Sequence, residues 1–299
     1  MSNPVLAGFL NVNKPLHLTS HDVVAAVRRR CRSLSRAIKV GHAGTLDPLA
    51  DGVLIICLGA ATRLSQYIMR DHKLYRARIA FGATTSTYDA AGDILAQNDA
   101  SHIARSDIEA ALPRFLGEIS QIPPMYSAIK QDGKRLYELA RQGKDVPRPA
   151  RTVTIYGIEL LSWRNPNLEL TINCGSGTYI RSLAQDLGAA LEVGAYLSGL
   201  TRLASGGFTL AHSIELDAVI ESEDWMNHIV APFDALSSHD RVILTADEVG
   251  CIRQGRFIER QQSSLASPVF AFDASRQIVA VLEPREKHWK PHKVFPSQS

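Results

Sequence analysis

The sequence predicts an α+β protein in which strands and helices are interspersed, followed by a small β-rich module. Segments with the two-residue apolar alternation of strands, such as Lys73–Gly82, occur between segments with helical apolar spacing, such as Ile180–Leu191. From Arg241 onwards the apolar runs are short and strand-like, and polar turns separate them. With 299 residues, the chain is long enough for one large domain and one small domain.

The predicted strands of the first part share apolar alternation or a continuous apolar run bounded by turn residues. They are residues 8–15, 53–58, 73–82, 153–163, 168–174 and 195–208. Asn165-Pro166-Asn167 is the turn of a predicted antiparallel hairpin. The predicted helices share an apolar stripe or an N-terminal capping signal. They are a helix that Ser20 caps, residues 62–69, residues 106–115 and residues 180–191.

The sequence around Ser237-Ser238-His239-Asp240 indicates a domain boundary, because an acidic stretch ends there and the short strand-like runs begin. We therefore expect a main domain of residues 1–238 and a module of residues 239–299. At about sixty residues, this module is near the lower size limit for independent folding.

The glycine-rich stretch 41–52, GHAGTLDPLADG, is the most distinctive in the chain. Its glycines allow backbone angles that other residues avoid, and Pro48 fixes φ directly after Asp47, so the stretch predicts a rigid loop. The buried strand predicted at 53–58 would anchor that loop. Aspartate before proline is also common in ordinary turns, so the loop alone admits a purely structural role. Both nucleotide-binding glycine fingerprints are missing, and we expect no nucleotide cofactor.

Two further side chains have informative positions. Tyr75 falls on the inward face of its predicted strand, whereas Arg76 and Arg78 fall on the other face. A core tyrosine that needs one partner for its hydroxyl is the simpler explanation. Arg181 lies off the apolar stripe in the first turn of its helix, where positive charge opposes the helix dipole. It therefore calls for an anionic partner, either a carboxylate or a phosphate.

The formal net charge of +3 is small, but the basic residues are clustered around the glycine-rich loop. A single charge run is usually a solvated surface, whereas several clusters around one loop favour a polyanion, most simply nucleic acid. The clusters lie in residues 28–39, 70–78, 130–151 and 287–293. In the proline-bounded segment Pro123–Pro149, aromatic residues alternate with cations, which suits either an RNA-gripping insertion or a solvated helical hairpin.

The four cysteines are far apart and form no Cys-x-x-Cys pair, so neither a zinc site nor a disulfide framework is expected. No secretory signal and no apolar stretch of membrane-spanning length is evident, which predicts a cytoplasmic protein without a membrane partner.

Six segments, in this order, resemble the bacterial tRNA pseudouridine synthase B family. They are Asn13-Lys14-Pro15, Gly41 to Ala50, Lys73-Leu74-Tyr75, Pro123 to Ala128, Gly177 to Arg181, and Leu200 just before Arg202. The resemblance covers roughly residues 8 to 210 and becomes weaker afterwards. One such motif would be weak evidence, but an ordered series is specific, and it overturns the structural explanation of Asp47.

The resemblance implies a pseudouridine synthase core with a mixed, largely antiparallel sheet and flanking helices, and a PUA-like RNA-binding C-terminal module. It implies that the enzyme isomerises uridine 55 in the tRNA T-loop as a monomer, without metal or cofactor. By motif, Asp47 is the catalytic aspartate, Tyr75 stacks on the base, and Arg181 is the ion-pair partner of Asp47. The expected substrate-binding residues are His42, Tyr179, Leu200, Lys14 and Lys130.

Two alternatives stay open at this point. The chain could be a pseudouridine synthase that acts on another RNA, such as a guide-RNA-dependent enzyme. It could also be an RNA-binding or tRNA-folding protein without catalysis, although the presence of Asp47, Tyr75 and Arg181 together argues against a degenerate enzyme.

Overall fold

The computed structural model describes residues 6–32, 34–35, 38–127, 130–131, 134–136, 146–260 and 268–297; for residues 130–131 and 134–135 it describes the backbone only. The strands, in chain order, are β1 (Gly8–Lys14), β2 (Val40–His42), β3 (Ala50–Leu58), β4 (Lys73–Phe81), β5 (Ala83–Thr85), β6 (Ile94–Gln97), β7 (Gly117–Gln121), β8 (Lys130–Gln131), β9 (Lys134–Arg135), β10 (Arg151–Arg164), β11 (Asn167–Cys174), β12 (Ala195–Ser205), β13 (Phe208–Thr209), β14 (Ile214–Glu215), β15 (Ile229–Val230), β16 (Arg241–Ile243), β17 (Ile258–Glu259), β18 (Val269–Phe272), β19 (Ile278–Arg285) and β20 (His288–Val294).

The α-helices of the described residues are α1 (Ser20–Arg32), α2 (Ser65–Ile68), α3 (Arg105–Ala111), α4 (Ile180–Ala190), α5 (Leu216–Glu221), α6 (Pro232–Ala235) and α7 (Ala246–Arg253). Short 3-10 helices cover Gly59–Leu64, Leu112–Phe115, Leu210–His212 and Glu223–His228. None of these helices is long and apolar enough to cross a membrane.

One large sheet organises the main part of the chain. Its strand order is β14-β1-β3-β12-β4-β11-β10-β7, with β2, β13 and β15 at the side of this path. The pairs β1·β14 and β3·β12 are parallel, and the other described pairs are antiparallel. The expected mixed, largely antiparallel sheet with flanking helices is therefore confirmed.

Strand β3 explains why its sequence is a continuous apolar run. Leu54, Ile56 and Leu58 pack into the apolar cluster shared with α1, α3, α4 and α5. The alternate residues Val53, Ile55 and Cys57 pack into a second cluster shared with α2 and α6. Because both faces are covered, both sets of side chains must be apolar.

The C-terminal strands form a second sheet, in the order β16-β18-β19-β20-β17. This sheet covers the second face of the large one, since Phe270 and Phe272 belong to the same apolar cluster as Ile55. Tyr67 meets Phe270 edge-on with ring centroids 5.1 Å apart, and the Arg63 guanidinium lies 4.7 Å from the Phe295 ring centre. The β-rich nature of the module is confirmed, while its boundary at residue 239 stays a prediction.

Three predicted elements differ in detail. Thr19 rather than Ser20 caps α1, because its hydroxyl accepts from the Asp22 amide at 3.1 Å while the Asp22 carboxylate accepts from the Thr19 amide at 2.9 Å. Helix α3 begins at Arg105, because the Asp107 carboxylate accepts from the Ala104 amide at 2.8 Å. The expected helix 62–69 is a 3-10 turn followed by the short α2.

Candidate active site

The loop that carries Asp47, residues 43–49, joins β2 to β3 and is held along its length by hydrogen bonds. The Ser20 hydroxyl donates to the Leu46 carbonyl at 2.9 Å and accepts from the Leu46 amide at 2.8 Å. The Ala43 amide donates to the Ile55 carbonyl at 2.8 Å. Gly44 has a φ of +108°, which a residue with a Cβ rarely adopts. The loop therefore presents the Asp47 carboxylate from a fixed backbone.

Asp47 forms an ion pair with Arg181, whose Nε lies 3.0 Å from the Asp47 Oδ2. The Arg181 side chain is 5% exposed and that of Asp47 is 40% exposed. The remaining guanidinium nitrogens donate to backbone, from Nη2 to the Tyr126 carbonyl at 2.8 Å and from Nη1 to the Thr87 carbonyl at 3.3 Å. Of the two anionic partners expected for Arg181, the structure supplies a carboxylate.

A second carboxylate shares this guanidinium. The Asp89 Oδ2 lies 3.5 Å from the Arg181 Nη1, and the Asp89 Oδ1 accepts from the Thr87 hydroxyl at 2.5 Å and the Ala91 amide at 3.0 Å. Asp89 could not be identified as a site residue from the sequence, because it lies in a loop of ordinary turn composition with no local signal for this contact. The local charge of the two carboxylates and the one guanidinium is negative.

Burial raises the pKa of the Asp47 carboxyl above its ordinary value, Arg181 opposes that shift, and the negative charge of Asp89 adds to it. Although two-fifths of its side chain is exposed, Asp47 lines a cleft whose surrounding protein replaces much of the water around it. Arg181 thus favours the ionised form and fixes the direction of the carboxylate.

The cleft has a volume of about 350 Å³, which is within the usual range of small-ligand sites. Besides Asp47 and Arg181, its lining includes Tyr75, Tyr179 and Leu200. The structure therefore brings five of the predicted site residues together. A larger and more open depression of about 400 Å³ lies around Arg78, Arg164 and Glu169 and contains none of the predicted site residues.

The two tyrosines of the cleft are held differently. Tyr75 is 7% exposed and lies on the core face of β4, as its alternation predicts, and burial raises the pKa of its hydroxyl. Tyr179 precedes α4, and its backbone amide and carbonyl both bond to the Gln121 side chain, at 2.8 and 3.0 Å. Burial also raises the pKa of the Tyr179 hydroxyl.

Lys14 does not fit the predicted contact with RNA. Its side chain is fully buried, and its Nζ donates to the carbonyls of Pro15 and Leu18 at 2.8 and 2.7 Å. Burial lowers the pKa of Lys14 to about 8. With no exposed surface, this lysine supports the turn after β1 instead of meeting a substrate. The Asn-Lys-Pro motif does not indicate that Lys14 is buried, because burial of a lysine depends on the surrounding fold.

His42 does not belong to the described lining of the cleft. His42 ends β2 opposite Ile56, at the start of the Asp47 loop, and is half-buried. The backbone of Lys130 belongs to β8, but its side chain lies outside the described residues, as does most of the predicted insertion. Their predicted contacts with RNA stay predictions. Within the described ranges, no group of three or more His, Cys, Asp or Glu residues is placed to hold a metal ion.

Comparison with known proteins places the chain in a family. The model of the TruB family pseudouridylate synthase (N terminal domain) matches residues 32–180. The chain is 54% identical over 219 residues to the tRNA pseudouridine synthase B of Acaryochloris marina, covering 72% of this chain and 74% of that protein. It is 43% identical over 297 residues to the enzyme of the same name from Dehalococcoides mccartyi, covering 98% and 97%.

A solved structure shows a related fold at greater sequence distance. A chain of a crystallised Cbf5-Nop10-Gar1 complex superposes with a TM-score of 0.73 and 26% identity, covering 97% of this chain and 85% of that one. The identities over most of the length, the family model and the fold agree with the six sequence segments. The chain belongs to the TruB family of pseudouridylate synthases.

Proposed function

We propose that the protein converts uridine to pseudouridine at position 55 in the T-loop of tRNA. Relatives at 43% and 54% identity carry the name tRNA pseudouridine synthase B. The observation that carries the proposal is the Asp47–Arg181 ion pair of 3.0 Å in a cleft lined by Tyr75.

The reaction needs few chemical groups. The bond from C1′ of the ribose to N1 of uracil breaks, the base rotates, and a bond from C1′ to C5 forms. The C5 proton is lost to solvent and N1 gains a proton, so that no electrons are transferred and no cofactor is required. Asp47 serves as nucleophile toward C1′ or stabilises its developing positive charge, and Arg181 keeps the carboxylate ionised and oriented.

The residues that line the cleft bind the extruded base. A T-loop uridine must be extruded from a folded arm, at a cost of about a few kcal/mol. Tyr75 offers a flat face on which the extruded base stacks, and Tyr179 and Leu200 wall the cleft so that the detached uracil stays near the sugar. Tyr75, which lines the cleft, also brings a hydroxyl that can take part in proton transfer.

The parts outside the cleft bind the rest of the tRNA. His42, at the start of the Asp47 loop, contacts the opened T-loop, and the insertion with Lys130 grips the arm. Residues 1–238 act as the catalytic domain and residues 239–299 as a PUA-like RNA-binding domain, and the chain works as a monomer in the cytoplasm. An enzyme that modifies another RNA is a weaker candidate, because relatives at 43% and 54% identity are named for tRNA.

A tritium-release assay tests the proposal. The purified chain is incubated, without added cofactor, with a T-arm hairpin that carries tritium at uracil C5. Release of label from the loop uridine equivalent to position 55 supports the proposal. A hairpin with that uridine replaced by cytidine is the matched control, and release from other uridines at the same rate would contradict the assignment.

A further inference from the structure

Arg202 is a second buried arginine that lines the cleft. It is 1% exposed and ranks among the largest fully buried side chains. Strand β12 carries it between β4, which holds Tyr75, and β3, which follows the Asp47 loop. In register, it lies opposite Tyr75 on β4 and opposite Gly52 on β3. Its position therefore connects the Tyr75 strand to the strand that follows the Asp47 loop.

The guanidinium of Arg202 bonds to both sides of the Asp47 loop. Its Nε donates to the Val53 carbonyl at 2.6 Å, and its Nη2 donates to the Gly44 carbonyl at 3.1 Å. Gly44 precedes Asp47 and Val53 follows it. The two bonds therefore clamp the loop by joining the backbone on both sides of Asp47 to one side chain. A Cβ added at Gly52 would lie 2.3 Å from the Arg202 carbonyl oxygen, which shows how closely the two backbones approach.

The same guanidinium acts on Tyr75. Burial raises the pKa of the Tyr75 hydroxyl, and the positive charge of Arg202 opposes that shift. Cys174 and Asp47 are the other charged or titratable groups that act on this hydroxyl, and both raise its pKa. Across the described residues, no carboxylate lies within 4.0 Å of the Arg202 guanidinium. Its charge is therefore satisfied by neutral groups alone.

We propose that Arg202 is a positioning residue of the isomerisation, which holds the Asp47 loop in a fixed position against the strand that carries Tyr75. The loop needs this support because displacement of a reacting group by about 1 Å costs on the order of a hundredfold in rate. A guanidinium suits the task because its rigid planar fork holds separated acceptors in a fixed geometry, whereas an ammonium is a compact point charge on a flexible stem. This inference rests on the proposed function for its catalytic readout, but its contacts are testable without any RNA.

The main test compares Arg202→Lys and Arg202→Gln with the unmodified chain in the tritium-release assay. We expect kcat to fall on the order of a hundredfold for Arg202→Gln and less for Arg202→Lys, with KM changed by no more than about threefold. Alkaline titration of ¹³C-labelled tyrosine rings, with Tyr75 assigned through Tyr75→Phe, should show a higher Tyr75 pKa in Arg202→Gln. The control is Arg105→Gln, because Arg105 is exposed on α3 and pairs with Glu109.

A folded Arg202→Gln variant with kcat within about threefold of the unmodified chain would overturn the proposal, as would an unchanged Tyr75 pKa. If neither variant folds, the unmodified full chain and Tyr75→Phe are compared by ¹⁵N-arginine spectra. Because Arg202 lies opposite Tyr75 in the sheet, we expect loss of the hydroxyl to shift the Arg202 side-chain resonances, and an unshifted Arg202 would overturn the proposal that it holds the loop against the Tyr75 strand. Because the spectra need no substrate, an inactive unmodified chain would contradict the proposed function without affecting this result.

Discussion

Arg181 and Arg202 line the same cleft, but different kinds of group accept hydrogen bonds from their guanidinium groups. Arg181 meets the carboxylates of Asp47 and Asp89 at 3.0 and 3.5 Å. Arg202 meets the carbonyls of Gly44 and Val53 at 3.1 and 2.6 Å. One arginine therefore contacts the group proposed to react, and the other contacts the backbone that carries that group.

The difference makes the cleft electrically asymmetric. At the Asp47 end, the carboxylates of Asp47 and Asp89 suit the positive charge that the proposed reaction develops at C1′, and Arg181 and the buried Lys14 balance part of their charge. At the Tyr75 end, Arg202 and Lys73 are both basic groups; burial lowers the pKa of Lys73 to about 8, and the charge of Arg202 adds to that shift. Positive charge there suits the electron-rich detached uracil. The following variants test this division, from the largest expected effect to the smallest.

Asp47→Asn removes the reacting group of the negative end. We expect turnover to fall by roughly a thousandfold or more, because an amide is not a nucleophile toward the sugar. Filter-binding should show tRNA affinity within about threefold, since binding energy comes mainly from other contacts. Because burial raises the Asp47 pKa, the ionised carboxylate opposes folding at neutral pH, and the variant should melt no lower than the unmodified chain. Substantial turnover by this variant would rule out the assignment.

Arg181→Lys keeps the charge of the ion pair but loses its planar geometry. A single ammonium cannot meet Asp47, Asp89 and the Tyr126 carbonyl together, so we expect a loss of roughly a hundredfold in kcat. Single-turnover assays measure this loss separately from binding. Arg105→Lys is the matched control, and equal activity of the two variants would show that the ion pair has no role.

Asp89→Asn probes the second carboxylate with little change of shape. The amide oxygen can still accept from Thr87 and Ala91, so the loop should stay folded. We expect kcat to fall by about tenfold because Arg181 is less firmly oriented. Removal of the negative charge also removes a contribution that raises the Asp47 pKa. Asp47 then stays ionised to lower pH, and the acid limb of the pH–rate profile should move to lower pH. Movement to higher pH would contradict this coupling.

Lys14→Met tests a buried cation that supports the turn after β1. Burial lowers the pKa values of Lys14 and Lys73 to about 8, whereas the unfolded chain holds these protons to about pH 10.5. The free energy of unfolding should therefore gain up to about 1.4 kcal/mol per pH unit from each lysine as the pH rises above 8. Urea titrations at pH 7 to 10 measure the free energy of unfolding, which should rise less with pH in Lys14→Met because the contribution of Lys14 is missing.

The difference between Lys14→Met and the unmodified chain is the informative quantity in that experiment. Burial raises the pKa values of the Cys31, Cys57 and Cys174 thiols, and these groups oppose the trend above about pH 9 in both proteins. Exposed Lys39 provides the control through Lys39→Met. A constant difference between Lys14→Met and the unmodified chain from pH 7 to 10 would contradict the lowered pKa of Lys14.

Much of the fold could be predicted because the relevant signals are local. The apolar run of β3 is bounded by turn residues, and the alternation of β4 distinguishes Tyr75 from Arg76. Local signals also failed where two neighbouring residues offered the same chemistry. Ser20 is a good capping residue by type, yet Thr19 caps α1 and leaves the Ser20 hydroxyl to hold Leu46 in the Asp47 loop.

By itself, the sequence determined the rigid Asp47 loop, the inward Tyr75, the need of Arg181 for an anion and, through ordered motifs, the family. Only the tertiary structure decided that Arg181 meets two carboxylates, that Arg202 clamps the loop and that Lys14 is buried. Local backbone preferences depend on neighbouring residues, so they can be predicted from the sequence. Contacts such as Arg202 to Gly44 and Val53 arise instead from the parallel pairing of β3 with β12, which joins residues far apart in sequence.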